Sequence, residues 1–141
     1  MATATQLSVR ISKEEGSVSE VTRVLGDAGI DIRGFSVSDS AEHGVMRLIV
    51  DRPDLAAEVL KAAGMTVCET PVLVIELPDQ PGGLAGVLKT VAEAGVNIQY
   101  VYSLVSTDVV LNVASPVAAE ALLAGRPVRL LSDQEILSGR A

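Results

Sequence analysis

The chain contains two copies of one sequence pattern. Residues 7–32 read LSVRISKEEGSVSEVTRVLGDAGIDI, and residues 73–98 read LVIELPDQPGGLAGVLKTVAEAGVNI. A shift of 66 positions, or of 63 in the later part, superposes matching residues: Leu7 on Leu73, Gly16 on Gly82, Gly29 on Gly95, Met46 on Val109 and Pro53 on Pro116. A repeat of about 65 residues predicts two linked modules of the same fold, with a junction between them. That junction is the first place to expect function.

Each copy predicts the order strand, helix, strand, strand, helix, strand. In the first copy, residues 6–11 alternate apolar and polar side chains, as a half-buried strand does. Ser17, with Glu20 three residues later, predicts a capped helix start, and Gly29 predicts its end. The remaining elements are strands at 32–37 and 45–50, a helix between Pro53 and Gly64, and a strand at 65–68. This order is the ferredoxin-like βαββαβ motif, in which helices cover one face of an antiparallel sheet.

The fold class is therefore α+β, with two modules in tandem. We predict modules at residues 5–69 and 70–131, followed by a tail at 132–141 that has a short helical pattern. Glu69, Thr70 and Pro71 join the modules without a Gly/Ser linker, so the two should hold a fixed relation. The second helix of the first module should turn Leu55, Val59 and Ala63 inward.

The sheet face opposite the helices is too apolar for full exposure to water. It carries residues such as Val45, Ile49, Val72, Val74 and Val110. Large exposed apolar patches usually mark interaction sites. We therefore predict that a partner chain covers this face, most simply in a homodimer.

Composition limits the classes of partner. The chain is 48% hydrophobic and 2% aromatic, and its formal net charge is −7. Nucleic-acid binding draws on clustered basic residues and stacking aromatics, and neither is present. No apolar run approaches the roughly 20 residues of a membrane helix, and the N-terminal sequence is unlike a signal peptide. We expect a cytoplasmic protein without nucleic-acid or membrane partners.

Few residues suit catalysis or metal binding. The chain has one histidine, His43, in a polar loop where it should be exposed, and one cysteine, Cys68. We expect Cys68 to be a small buried residue at a strand end. Metal-ligand spacings, GxGxxG and the Walker loop are absent from the sequence. The prediction is no catalytic residue, no metal and no cofactor.

The loop after the first strand of each copy is the main candidate site. In the second copy it reads PDQPGGL and leads into a helix. Helix N-termini present unpaired N–H groups that suit a carboxylate, and Gly82 and Gly83 would let a ligand approach the backbone closely. A simple tight turn before a helix would also need Pro and Gly.

The start of the second strand in each copy is the other candidate. Asp31 could accept a hydrogen bond from an ammonium group, and Asn97 could donate and accept. Either residue could instead belong only to the turn that ends the preceding helix. A zwitterion such as an amino acid needs donors for its carboxylate and acceptors for its ammonium group. The loops and these two positions together offer both.

The phrases DQPGGLAGVLKTVAEAGVNI and EEGSVSEVTRVLGDAGIDI resemble the opening of the ACT domain. Its pattern is a polar residue, PG, a leucine-bearing helix and G-[IV]-[ND]-I. From about Gln6 to Leu131 the chain resembles two ACT domains in tandem. The resemblance implies a regulatory module that binds small molecules, chiefly amino acids, at interfaces between domains. It also implies sheets joined side by side into one eight-stranded sheet.

The resemblance implies a set of ligand-binding residues in the two loops and at the two strand starts. They are Glu14, Glu15, Gly16, Ser17, Val18, Asp31, Asp79, Gln80, Gly82, Gly83, Leu84 and Asn97. The first loop departs from the family pattern, because Glu15 stands where the family has proline. One good site and one degenerate site per chain would follow.

Three functions remain open from the sequence. The leading one is a regulatory amino-acid-binding protein that acts through an unknown effector protein. The alternatives are a ligand-free structural dimerisation module and an enzyme on a ferredoxin-like scaffold. An acyl-phosphate hydrolase of that architecture would need a phosphate-cradling loop with an arginine, and the loops offer only Lys13.

Overall fold

The computed structural model describes residues 3–12, 17–39 and 44–137. Its elements in chain order are β1 (Ala4–Ile11), α1 (Val18–Asp27), β2 (Ile32–Asp39), β3 (Gly44–Val50), α2 (Pro53–Ala62), β4 (Val67–Ile75), α3 (Gly83–Glu93), β5 (Ile98–Ser103), β6 (Val109–Val113), α4 (Pro116–Leu123) and α5 (Asp133–Leu137). The first copy has the predicted βαββαβ order. The second copy begins inside the last strand of the first.

The strands form one sheet in the order β2-β3-β1-β4-β6-β5, with every neighbouring pair antiparallel. β4 joins the two repeats. Its first part pairs with β1, from Val67 opposite Val9 to Val72 opposite Ala4, and its last part pairs with β6 from Leu73 onward. The side-by-side sheet is therefore confirmed, with the two repeats sharing a strand.

Residues 69–71 were predicted to join two separate strands, whereas in the structure they lie within the single strand β4. Pro71 pairs with Thr5 near the end of the stretch of β4 that pairs with β1, and the stretch that pairs with β6 begins at Leu73. A proline usually interrupts a strand because it lacks an N–H. Here the described pairing with β6 starts two residues later, so no bond in that ladder depends on the missing group.

The sheet has six strands rather than eight. Sharing β4 removes one strand, and the predicted last strand is reduced to an isolated bridge between Ile75 and Leu130. Two backbone bonds flank this bridge: the Leu131 N–H donates to the Val74 carbonyl at 2.8 Å, and the Glu76 N–H donates to the Arg129 carbonyl at 2.9 Å.

The sheet curls until its two edge strands meet. Gly34 of β2 forms an antiparallel bridge with Leu104, which follows β5, and the Val105 N–H donates to the Arg33 carbonyl at 2.7 Å. A Cβ at position 34 would overlap the end of the Leu104 side chain and lie 3.1 Å from the Leu104 Cα, so this close approach favours glycine. The curl gives the sheet an outer face, covered by helices, and an enclosed inner face.

The outer face carries one apolar core for each repeat. The first includes Leu7, Leu25, Leu48 and Leu60, and the second includes Leu73, Val91, Leu111 and Leu123. In α2 the predicted inward face is displaced: Ala56, Ala57 and Leu60 are buried, Leu55 and Val59 are partly buried, and Ala63 is exposed. The helix is rotated from the predicted orientation and turns Ala56 and Ala57 toward the sheet.

The inner face carries a third core, and this corrects a prediction. Ile49, Val72, Val74 and Val110 are each at most 1% exposed within a single chain. Leu104, Leu131 and Ile136 pack on them, so the curl and the C-terminal segment provide the cover that we assigned to a partner chain. The homodimer stays a prediction, but this face no longer argues for it.

The predicted C-terminal helical pattern forms α5, which lies on the inner side of the sheet, away from the other helices. Ile136 belongs to the inner core. Asp133 accepts hydrogen bonds from the Thr5 N–H and the Thr5 hydroxyl, both at 2.8 Å. The end of the described chain is thus fixed to its first strand.

Candidate functional site

The loop between β4 and α3 is a turn that depends on its glycines. The Gln80 N–H donates to the Pro78 carbonyl at 2.9 Å, and the Gly83 N–H donates to the Gln80 carbonyl at 3.0 Å. Gly82 has φ +82°, and a Cβ on Gly83 would overlap the Pro78 carbonyl oxygen. Asp79 and Gln80 are exposed at the tip of this loop, and Leu84 is 43% exposed.

The N-terminus of α3 has no side-chain cap. Gly82 occupies the capping position and has no side chain to offer the first turn. Unpaired N–H groups at a helix start carry a partial positive charge that attracts anions. A helix start of this kind is the type of position that carboxylates occupy, and the ligand position itself stays a prediction.

The N-terminus of α1 is different, because the protein caps it. The Ser17 hydroxyl oxygen accepts from the Glu20 N–H at 3.1 Å, which confirms the predicted cap. Val18 begins the helix and is 36% exposed. Glu14, Glu15 and Gly16 lie outside the described residues. Of the two helix starts, that of α1 has a side-chain cap and that of α3 has none.

The predicted site residues fall into two groups at opposite ends of the sheet. β1 and β4 are antiparallel neighbours, so the loops that follow them leave from opposite ends. By the same polarity, β2 starts at the end where β4 finishes, and β5 starts at the end where β1 finishes. Asp31 therefore shares an end with the loop from Asp79 to Leu84, whereas Asn97 shares an end with Ser17 and Val18.

Asp31 is fixed by its neighbours at the start of β2. Its N–H donates to Asp51 Oδ1 at 3.0 Å, and its carbonyl accepts from the Asp51 N–H at 3.1 Å. Its carboxylate lies 3.3 Å from Arg33 Nη1 and is 60% exposed. Asn97 is exposed two residues after Gly95, which has φ +81°. Both positions keep a polar side chain open to solvent.

A cavity of about 180 Å³ lies where the two repeats meet on the inner side of the sheet. Its lining comes from β2, the turn between β5 and β6, and the C-terminal segment: Arg33, Leu104, Val105, Ser106, Asp108, Leu131, Glu135 and Ile136. Sequence reasoning missed this cavity. Its residues come from three distant segments and share no local motif.

Asp108 organises the turn beside this cavity. It is 3% exposed and accepts from the Ser106 hydroxyl at 3.2 Å and from the Leu77 N–H at 3.0 Å. The Leu104 N–H donates to its carbonyl at 2.7 Å. Because Leu77 immediately precedes the loop that leads to α3, one buried carboxylate connects the cavity to the candidate loop.

A polar cluster joins the repeats across the enclosed face. Gln6 is fully buried; its amide donates to Tyr100 Oη at 2.7 Å and accepts from Tyr102 Oη at 2.7 Å. The Arg47 guanidinium lies 4.1 Å from the centre of the Tyr100 ring. Burial raises the pKa of Tyr102 above its usual value, and Tyr100 adds to the increase, whereas Arg47 opposes it. The two tyrosines hold the repeats together.

The described residues contain no group of three or more His, Cys, Asp and Glu side chains that could hold a metal ion. Cys68 is exposed, contrary to the prediction, because it pairs with Ser8 near the start of β4, away from the inner core. His43 lies outside the described residues. Among the helices of the described chain, none has the length and apolar character to cross a membrane.

Comparison with known proteins identifies the family. The model of the ACT domain pair matches residues 2–121, and the chain belongs to this family. Protein BT0572 from Bacteroides thetaiotaomicron is 32% identical, with a TM-score of 0.86 and 96% of each chain covered. No curated protein sequence gives a match.

Two solved structures of lower identity share the fold. The ligand-free regulatory subunit of aspartate kinase from Thermus thermophilus is 19% identical, with a TM-score of 0.60 over 84% of this chain and 87% of that one. The corresponding subunit from Thermus flavus is 18% identical, with a TM-score of 0.54 and the same coverage.

Proposed function

We propose that this protein is a regulatory module that binds an amino acid, with the ligand carboxylate at the N-terminus of α3. The observation that carries the proposal is the uncapped first turn of α3, which follows a loop containing Gly82 and Gly83. Membership of the ACT domain pair family supports it, as does the regulatory role named for the two aspartate kinase subunits of the same fold. The loop residues from Asp79 to Leu84 would contact the ligand.

The ammonium group would be bound by a polar side chain at the start of a second strand. Asp31 lies at the same end of the sheet as the α3 loop, and its carboxylate is 60% exposed. Glu14, Glu15, Gly16, Ser17 and Val18, with Asn97, would form the weaker second site at the other end. Ser17 already caps α1, so a ligand there would compete with the protein's own hydroxyl group.

The output would be a shift between states of an interface rather than catalysis. A ligand changes such an equilibrium only by binding one state more tightly than the other. We propose a non-enzymatic, cytoplasmic protein that acts on an effector protein and associates as a homodimer. The net charge of −7 favours partners other than nucleic acid.

The test is calorimetric titration of the protein with each of the twenty amino acids. A side-chain carboxylate at position 82 would repel the ligand carboxylate from the helix start. We expect Gly82→Asp to weaken binding about tenfold or more, a loss of about 1.4 kcal/mol. Gly82→Asn, which is of similar size and uncharged, should weaken binding less. Position 82 has open space for either side chain.

Gly64→Asp is the remote control. Gly64 also has a positive φ, +87°, and open space around it, so the backbone strain is matched. This variant should bind like the unmodified protein. Equal binding by Gly82→Asp and Gly82→Asn would contradict the proposed carboxylate position, and no binding of any amino acid would favour the ligand-free dimerisation module.

A further inference from the structure

We infer that the cavity between the repeats is a further binding site, distinct from both loop sites, for a small aliphatic monocarboxylate anchored by Arg33. It is called the cavity site below. It lies on the inner side of the sheet, and none of the sequence-predicted site residues that the structure describes lines it. The cavity site is therefore separate from the proposed α3 site and does not depend on ligand binding there. An aliphatic amino acid is the form of ligand that its charges favour.

The size of the cavity sets the size of the ligand. Its volume is about 180 Å³. Pockets for drug-sized molecules are about 300–1,000 Å³, and one water takes about 30 Å³ in the liquid, so the space equals about six waters. A molecule the size of a branched-chain acid fits this space, whereas a nucleotide does not.

The walls of the cavity are mainly apolar. Leu104, Leu131 and Ile136 contribute from the turn and the C-terminal segment, and each is at most 7% exposed. Water in such a space would find few partners, so its displacement by an aliphatic chain is favourable. The walls thus select a hydrocarbon body.

Arg33 supplies the positive charge. It is the one cation among the described residues that line the cavity. Its Nη1 lies 3.3 Å from the exposed Asp31 carboxylate, and its Nε is buried without a hydrogen-bond partner. A guanidinium has five N–H donors in a planar fork that matches a carboxylate, so the pair with Asp31 leaves donors for a ligand.

Acidic groups limit the charge that a ligand can carry. Asp108 and Glu135 also line the cavity. Glu135 is paired with Arg129, and Asp108 accepts from the Leu77 N–H and the Ser106 hydroxyl. The two carboxylates would still repel a dianion, whereas a single carboxylate with a nearby ammonium would be matched by both signs. The charges of the lining residues therefore favour an amino acid over the 2-oxo acid with the same carbon skeleton. Both compounds are aliphatic monocarboxylates.

The test titrates the full chain carrying Gly82→Asp, which weakens the proposed α3 site, with leucine, valine and 4-methyl-2-oxopentanoate by calorimetry, and the variants below are made in the same background. Arg33→Met keeps the apolar stem and removes the guanidinium, and it should weaken binding about tenfold or more. Arg23→Met is the matched control, because Arg23 is an exposed helix residue paired only with Asp27 in the described structure. Arg33→Lys should bind weakly, because an ammonium lacks the planar fork.

Methyl NMR locates the ligand. We expect leucine to shift the methyl resonances of Leu104, Leu131 and Ile136, and Gly82→Asp to leave these shifts unchanged. Shifts confined to Leu84 would overturn the cavity site and support ligand binding at the α3 loop. Undiminished binding by folded Arg33→Met, or no binding of any of the three compounds at millimolar concentration, would also overturn it. Stronger binding of leucine than of its 2-oxo acid would identify the amino acid as the ligand form.

Discussion

Gly83 and Gly86 lie three residues apart in α3 and have opposite surroundings. Gly83 is buried, and its α-carbon faces the Pro78 carbonyl oxygen, whereas Gly86 is exposed with nothing within 4 Å of an added Cβ. The sequence predicts one helix that contains both glycines and does not distinguish the two positions. Only the packing of the loop on the first turn of the helix separates a required glycine from a replaceable one.

We expect Gly83→Ala to destabilise the protein by about 1–3 kcal/mol, because the new methyl group would force Pro78 away. Gly86→Ala should stabilise it by about 0.5–1 kcal/mol, because alanine loses less backbone entropy in a helix. Urea unfolding at neutral pH measures both. A destabilised Gly86→Ala, or an unchanged Gly83→Ala, would show that the described turn is not the one in solution.

At the scale of elements, sequence patterns predicted the strands and helices that depend on local chemistry. The alternation in β1, the Ser17 cap and the proline start of α2 all identified their elements. β4 was predicted as two strands, one ending at Cys68 and one starting the second repeat, because each copy of the repeat was given its own first and last strand. Whether a proline interrupts a strand depends on which neighbour needs its N–H, and only the tertiary pairing decides that.

α5 is short, and its contribution comes from packing rather than from helix propensity. Ile136 is 6% exposed in the inner core, so Ile136→Ala should cost about 2–5 kcal/mol of unfolding free energy. Leu122 on α4 is 48% exposed, and Leu122→Ala is the control, with an expected change within about 0.5 kcal/mol. Thermal unfolding of the two variants makes the comparison. Equal effects would mean that α5 does not pack on the sheet in solution.

At the scale of the whole molecule, the repeats are joined by a shared strand and by buried polar contacts. Gln6 comes from the first repeat, and both of its tyrosine partners come from the second. The local motif around Gly82 could be predicted because its residues are contiguous. The inner cavity and the Gln6 cluster could not, because both depend on the curl that brings Gly34 to Leu104.

This arrangement predicts one cooperative unfolding transition for both repeats. In a double-mutant cycle, Gln6→Ala and Tyr102→Phe should show a coupling energy of about 0.5–3 kcal/mol, because the two side chains share a buried hydrogen bond. Chemical denaturation followed by circular dichroism provides the four free energies. Two separate transitions, or additive effects of the two substitutions, would contradict the coupling between repeats.

The bonds between Thr5 and Asp133 have a consequence for synthesis on the ribosome. Thr5 leaves the exit tunnel before Asp133, and the carboxylate that accepts from its N–H is translated 128 residues later. The first repeat can pair β1 with β4 once Val72 has left the exit tunnel. Its inner face nevertheless stays uncovered until Leu131 and Ile136 arrive, so nascent chains of intermediate length expose an apolar surface to which chaperones would bind.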